Sequence, residues 1–296
     1  MRRGYPLHSA ATPCSFFWRI SYVKRNAALA ALLLGISVVA TTAAVPALAD
    51  TTITAAGSTA LLPLVKDAAA QYQQAHPDVK ISVSGGGSGT GINQVAAKAV
   101  DIGDSDITAP THPELHDNRV AVIGFAVVTN PSVTVKNLTK AQIQDIFTGK
   151  TTNWNQVGGP NQKIVIINRP RSSGTRAVFT TTVMNGKPVN ESGLTEDATG
   201  TVVSVVKQTP GSISYAAFSG TRGQGLNELS IDGTAPNDEN VIDGKYPFWS
   251  YEHMFTNGPA TGEISRFIAY VETQTDLLKK NGYIKIADMK VKESNR

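Results

Sequence analysis

Apolar residues along this chain follow two rhythms, a short-run or alternating pattern that suits strands and a three-to-four spacing that suits helices. Residues 53–56 predict a strand, and Leu61, Leu62, Val65, Ala68, Ala69 and Tyr72 predict the helix after it. Val79, Ile81 and Val83 alternate as in a second strand, followed by a helix carrying Ile92, Val95 and Ala96. Residues 120–128 (VAVIGFAVV) are apolar almost without a break, the mark of a strand covered on both faces. A short helix is predicted at 138–147, a buried strand at 164–167 and another helix at 175–184, with further short elements at 201–207 and 213–218. An aromatic strand at 246–255 could carry the chain back. Residues 263–280 predict an amphipathic helix, with Ile264, Phe267, Ile268, Val271 and Leu278 on one stripe. The Gly-, Asn- and Asp-rich stretch 220–245 predicts loop. Strands alternating with helices predict an α/β fold with parallel sheets and helices on both faces.

Three of the strand-to-helix junctions share a grammar of hydroxyls and glycines: Gly57-Ser58-Thr59, the run SGGGSGTG at 84–91, and RPRSSGT at 169–175. The first N–H groups of a helix have no partner within it and sit at the positive end of the helix dipole, so such a junction can hold an anion. A single Ser-Ser-Gly-Thr would be explained by ordinary N-capping; three junctions of one kind favour an oxyanion site. Glycines in the second run let backbone amides approach a ligand where a Cβ would intrude. All three would lie beyond the carboxyl ends of strands, where α/β sheets bind ligands. They converge only if the chain folds back on itself.

Other candidate chemistry is weaker. Asp101, Asp104 and Asp106 lie close together, but without the glycine and distal glutamate of a calcium loop, so no metal is expected. Alternation places Asp104 and Asp106 on one face of a strand, with one of them facing the cleft. Gly149-Lys150-Thr151 fails as a nucleotide-binding loop because Gln144 stands where the first glycine belongs.

Charge and leader change the picture of where the protein works. Residues 1–49 hold five of the 27 basic residues and no acid, which leaves 22 basic against 23 acidic in the remainder, a net of −1. That balance excludes nucleic acid as a partner on electrostatic grounds. Lys24-Arg25, the apolar run 27–44 and Ala47-Leu48-Ala49 follow the pattern of a secretory signal peptide over 1–49, cut after Ala49. An uncleaved anchor is the alternative, since the run is close to spanning length. The basic region is long, as if the true start lay downstream. The one cysteine, Cys14, precedes the apolar run, so the exported body has neither disulfide nor thiol nucleophile.

AGSTALLP ending at Pro63, GGGSGTGI at 85–92, VDIGDSD at 100–106, LTKAQIQDIFTGKTTNWNQVGG at 138–159 and RPRSSGTR at 169–176 together resemble the phosphate-binding proteins of bacterial phosphate ABC importers, the PstS type. The resemblance runs over residues 52–290. It implies a two-lobed, periplasmic-binding-protein-like type II fold with a two-stranded hinge. Lobe 1 would be 50–129 and 247–296, lobe 2 130–246, and the cleft would hold one inorganic phosphate. It also implies a monomeric, exported or cell-surface protein that passes its ligand to membrane permease subunits, with no cofactor and no metal. Carried over by motif, the phosphate ligands would be Ser58, Thr59 and the backbone of Ala60; Ser88; Asp106; Arg169; and Ser173, Gly174 and Thr175. Two positions depart from the family: some members have an aromatic residue at Ala60, and some have an acid at Arg171.

Two other functions compete with phosphate capture. The same junctions suit sulfate, molybdate or tungstate. A secreted serine hydrolase or phosphatase is a third reading, but Ser88 lies in Gly86-Gly87-Ser88-Gly89-Thr90, which lacks the last glycine of a nucleophile elbow. His76, His112, His116 and His253 are also distant in sequence from every hydroxyl junction.

Overall fold

A computed structural model describes residues 51–291; the leader expected at 1–49, with Cys14, lies outside them. The first half contains β1 (Thr51–Gly57), α1 (Leu62–Ala75), β2 (Val79–Gly85), α2 (Ser88–Ala96) and β3 (Ile102–Ser105). A long strand, β4 (Leu115–Thr129), leads into β5 (Asn137–Leu138), α3 (Lys140–Phe147), β6 (Val165–Asn168), α4 (Gly174–Thr182), β7 (Leu194–Thr195), α5 (Thr199–Gln208) and β8 (Ser212–Ala217). Then come α6 (Phe218–Thr221), β9 (Asn227–Ile231), α7 (Asp238–Ile242), β10 (Trp249–Asn257), α8 (Gly262–Thr273) and α9 (Thr275–Lys280).

The strands join in the order β2-β1-β3-β10-β4-β8-β6-β7, with β9 and β5 branching from β4. β1 pairs in parallel with β2 and β3, and β6 with β7 and β8, as predicted from the βαβ pattern. The centre differs from the parallel expectation, because β10 runs antiparallel to both β3 and β4. The returning aromatic strand enters between the two parallel groups, and a strand returning from the far half arrives in the opposite direction. β4 is shared between the halves: Leu115–Gly124 pairs with β10, and Phe125–Thr129 pairs with β8. Just where the partner changes, the Phe125 amide donates to the Phe248 carbonyl at 2.9 Å, so two chain crossings run side by side. This is the two-lobed α/β fold with a two-stranded connection.

Burial follows the apolar pattern. Val120–Thr129 is buried throughout, as its unbroken apolar run requires. Phe147, Phe179, Tyr215 and Phe248 form an aromatic cluster with ring centroids 4.1 to 5.6 Å apart in four pairs, of which Phe179 and Tyr215 stack and the others meet at steep angles. Trp154 is also buried, its indole N–H donating to the Gly211 carbonyl at 2.8 Å.

Two predicted elements need correction. The 220–245 stretch is not loop throughout. Leu229 and Ile231 are buried from β9 against β4, and Asn237 caps α7 by accepting the Asn240 amide at 2.9 Å. The 263–280 helix is broken at Gln274, whose ψ of 77° is not helical. Thr273 bonds back to the Ala269 and Tyr270 carbonyls there, a local bond that competes with helix continuation.

Candidate functional site

The three hydroxyl junctions meet. The first follows β1, the second follows β2, and the third follows β6, each at the carboxyl end of a parallel strand. The Gly89 amide of the second junction donates to the Ser172 carbonyl of the third at 2.9 Å. Gly87, at φ 87°, fits under the same carbonyl, since a Cβ there would stand 2.8 Å from its oxygen. Gly174 is still more confined: an added Cβ would lie 2.1 Å from Ser88 Oγ and 2.9 Å from Asp106 Cβ.

Asp106 is the focus of this meeting, and its side chain is buried. Its carboxylate accepts the Ser58 hydroxyl on one oxygen and the Thr175 hydroxyl, at 2.9 Å, on the other. Its backbone amide donates to Ser88 Oγ at 2.9 Å. Burial pushes the Asp106 carboxyl up, and the hydroxyls of Ser58 and Thr175 and the charge of Arg169 work against that shift. The three carboxylates of VDIGDSD thus have three fates. Asp101 ties β3 to β1 through the amide and hydroxyl of Thr54, at 2.8 and 2.7 Å. Asp104 is buried beside the first junction, and Asp106 reaches all three.

Arg169 is 1% exposed, an unusual position for a guanidinium. Its Nη2 donates to Thr59 Oγ1 at 3.2 Å and to the Asp197 carbonyl at 3.0 Å, while Nε and Nη1 meet no acceptor among the described residues. Burial draws its pKa down, and the charge of Asp106 opposes that most. Arg171 points away: its side chain is 87% exposed and lies 3.6 Å from Glu191. The Arg169 guanidinium is held by Thr59 and Asp197, and the backbone carbonyl of Arg169 accepts Arg176 Nη1 at 2.6 Å.

The remaining predicted residues are in the same region. Ser58 Oγ accepts the amides of Ala60 and Leu61, both at 3.0 Å, so the Ala60 N–H turns inward here. Ala60 is fully buried, and its carbonyl accepts the hydroxyls of Ser219 and Tyr283. Ser173 caps α4 by accepting the Arg176 amide at 3.2 Å. Gly174 and Thr175 open that helix, pointing its positive end at Asp106.

Several participants were not foreseen. Thr199, at the start of α5, donates its amide to Thr59 Oγ1 at 3.2 Å and shares a hydroxyl contact with it at 3.3 Å. No local motif marks it; only the fold brings α5 to α1. Glu252 does carry a local signal, because an acid inside the apolar, buried run 249–256 is an anomaly readable from sequence.

Comparison with known proteins agrees with this geometry. Residues 42–274 match the model of the PBP superfamily domain. The phosphate-binding protein PstS of Bacillus subtilis is 43% identical over 251 residues, covering 82% of this chain and 83% of that protein. A substrate-binding protein of Clostridium perfringens, solved with bound phosphate, superposes with a TM-score of 0.75 at 28% identity, over 80% of this chain and all of that one. An ABC-type phosphate transport receptor of Vibrio cholerae gives 0.66 at 26% identity, over 79% of this chain and all of that one. With a family model over most of its length and a relative at 43% identity across more than four fifths of both chains, this chain belongs to the PBP superfamily and, within it, to the PstS-type phosphate-binding proteins.

Proposed function

We propose that the protein captures inorganic phosphate outside the cytoplasm and presents it to the membrane subunits of an ABC importer. The observation that carries the choice of anion is a buried acceptor and a buried cation in one site: Asp106 with Arg169, among the hydroxyls of Ser58, Thr59 and Thr175. Arginine supplies charge-assisted donors to the oxyanion. An ionised carboxylate only accepts, so it requires a ligand that still carries a proton. Phosphate does so at neutral pH, whereas sulfate, molybdate and tungstate do not. Sites that hydrogen-bond a ligand hydroxyl reject analogues lacking it by about 10⁴ to 10⁵.

In this reading Ser58, Thr59, the Ala60 backbone, Ser88, Asp106, Arg169, Ser173, Gly174 and Thr175 contact the anion. Residues 50–129 and 247–296 form one lobe and 130–246 the other, and β4 with the crossing at Phe248 serves as the hinge. Binding groups on both lobes favour closure on the ligand, as in periplasmic binding proteins generally. Hydrolase chemistry finds little support, since His253 pairs with Asp117 and His112 with Glu114 rather than with a junction serine. The protein is read as a monomer, freed from its leader by cleavage, that binds and releases without turnover. Calorimetric titration with phosphate, sulfate and molybdate tests the assignment. Phosphate should bind most tightly, and Asp106→Asn, which gains a donor, should raise sulfate relative to phosphate. Equal affinity for phosphate and sulfate in the wild type would refute it.

A further inference from the structure

Two carboxyls outside the anion contacts lie behind Asp106. β10 runs antiparallel to β3 with His253 opposite Ser105 and Met254 opposite Asp104. The pairing ends at Ser105, but the same register extended by one step sets Glu252 across from Asp106, and side chains opposite one another in an antiparallel pair leave the sheet on the same face. The Ser250 hydroxyl, two residues earlier, donates to the Asp106 carbonyl at 2.7 Å and ties the strands together beyond the end of β3.

Glu252 and Asp104 are both 0% exposed, and no N–H or O–H group among the described residues reaches any of their four carboxyl oxygens. Glu252 faces the carboxyl of Asp106 itself. Two carboxyls can hydrogen-bond only when one of them carries a proton. A bare carboxylate in that place would be a buried, unpaired charge beside others of its own sign, which proteins avoid by neutralising the group.

The surroundings decide where the proton sits. Asp106 has the donors that favour an anion, the hydroxyls of Ser58 and Thr175, together with the nearby charge of Arg169. Glu252 has Asp106, Asp104 and Tyr283 around it, and Tyr283 spends its hydroxyl hydrogen on the Ala60 carbonyl. α2 contributes no titratable side chain to β10. Arg119 and Asp117 of β4 stand opposite His253 and Phe255, on the other face of β10 from Glu252, where Asp117 engages His253 at 2.7 Å. On α1, Asp67 pairs with Lys280 at the surface. Burial first, then the charges of Asp106 and Asp104, pushes Glu252 well above the usual carboxylate range, and burial with the Asp106 charge does the same to Asp104.

We propose that Glu252 is a protonated positioning residue that donates to Asp106, keeps it an anionic acceptor across physiological pH, and thereby sets which protonation state of an oxyanion the site accepts. This rests on the phosphate reading above. With Asp106 anionic, the ligand must supply a hydrogen. With Asp106 protonated, the site can donate, and a fully deprotonated tetrahedral dianion becomes acceptable.

The test measures phosphate and sulfate affinities by calorimetry from pH 8 to pH 5 for the wild type, Glu252→Gln, Glu252→Leu and Asp106→Asn. The wild-type phosphate-to-sulfate ratio should stay level within a few-fold, and Glu252→Gln, whose amide still donates, should follow it. In Glu252→Leu the buried Asp106 loses its donor and takes up a proton as pH falls, so the ratio should drop tenfold or more between pH 8 and pH 5. A level ratio in Glu252→Leu, with Asp106→Asn shifted as expected, overturns the role given to Glu252. An unchanged ratio in Asp106→Asn instead overturns the phosphate reading. Infrared spectra decide the proton's location even if Glu252→Leu does not fold: at pH 7 the wild type should show a protonated-carboxyl C=O band that Glu252→Gln lacks. If no such band is lost, the proposal fails.

Discussion

Gly174→Ala is expected to act as a wedge between the lobes. The added methyl carbon would stand 2.1 Å from Ser88 Oγ, 2.8 Å from Ser88 Cβ and 2.9 Å from Asp106 Cβ, groups that the proposed lobe division sets across the cleft. Contacts this short cannot be kept, so either the junctions separate or their backbones shift. Overpacking of this kind costs about 1 to 3 kcal/mol. If the lobes open by a hinge, that cost falls only on the closed, ligand-holding form, and phosphate affinity should weaken roughly 5- to 150-fold. The ligand-free protein should lose no stability, because an open cleft removes the clash and alanine is the better helix former by up to about 1 kcal/mol. Calorimetry with phosphate and a thermal melt without it separate the two cases. If the junctions instead belong to one rigid body, the strain is present without ligand, and Tm should fall by about 2 to 12 °C, at roughly 2 to 4 °C per kcal/mol. A lowered ligand-free Tm with unchanged phosphate affinity would refute the hinge.

The arginines and the buried acid give further outcomes. Arg169→Ala should weaken phosphate at least tenfold, since a charge-assisted hydrogen bond contributes about 1.5 to 3 kcal/mol, whereas Arg171→Ala, on an exposed side chain, should change it less than threefold; the reverse order in a titration would show that the wrong arginine has been assigned. Glu252 should make stability fall as pH rises: its ordinary value is 4.5 and its folded value lies well above, so above about pH 4.5 the unfolded chain releases a proton that the folded chain keeps. That loss runs at about 1.4 kcal/mol per pH unit until the folded value is passed. Denaturant unfolding of the wild type and Glu252→Gln from pH 5 to 8 should therefore show the variant gaining relative stability with pH, and a constant difference would count against a protonated Glu252.

How much of this was legible in the sequence depends on the range of the interactions involved. The junctions at Ser58, Ser88 and Ser173 were readable because strand rhythm, hydroxyl turn and helix rhythm are all local, whereas alternation left Asp104 and Asp106 as equals, and only the family resemblance pointed to Asp106 and to Arg169. Thr199 was not readable, because it reaches Thr59 only through the packing of α5 near α1. β9 escaped notice since Leu229 and Ile231 sit in a segment whose composition is that of a loop, and its partner β4 is about 100 positions away. The antiparallel place of β10 is likewise a matter of topology. Glu252 was the one missed residue with a local signal, a carboxyl in the buried run 249–256.

The place of β10 also sets the order in which the molecule can be completed. His253 pairs with Ser105 across about 150 residues of intervening chain, and β10 is the strand that joins β3 to β4. Residues 51–105 can form their parallel strands and two helices as soon as they are made, but the sheet they belong to lacks its central member until nearly the whole chain exists. Such distant pairing carries a high loop-closure cost and slows folding. The second half, from Asn137 to Ile242, lies within a single stretch of chain and has no such delay beyond its pairing to β4. The half written first in the sequence is therefore the half finished last, and the acid that stands behind Asp106 arrives with the strand that finishes it.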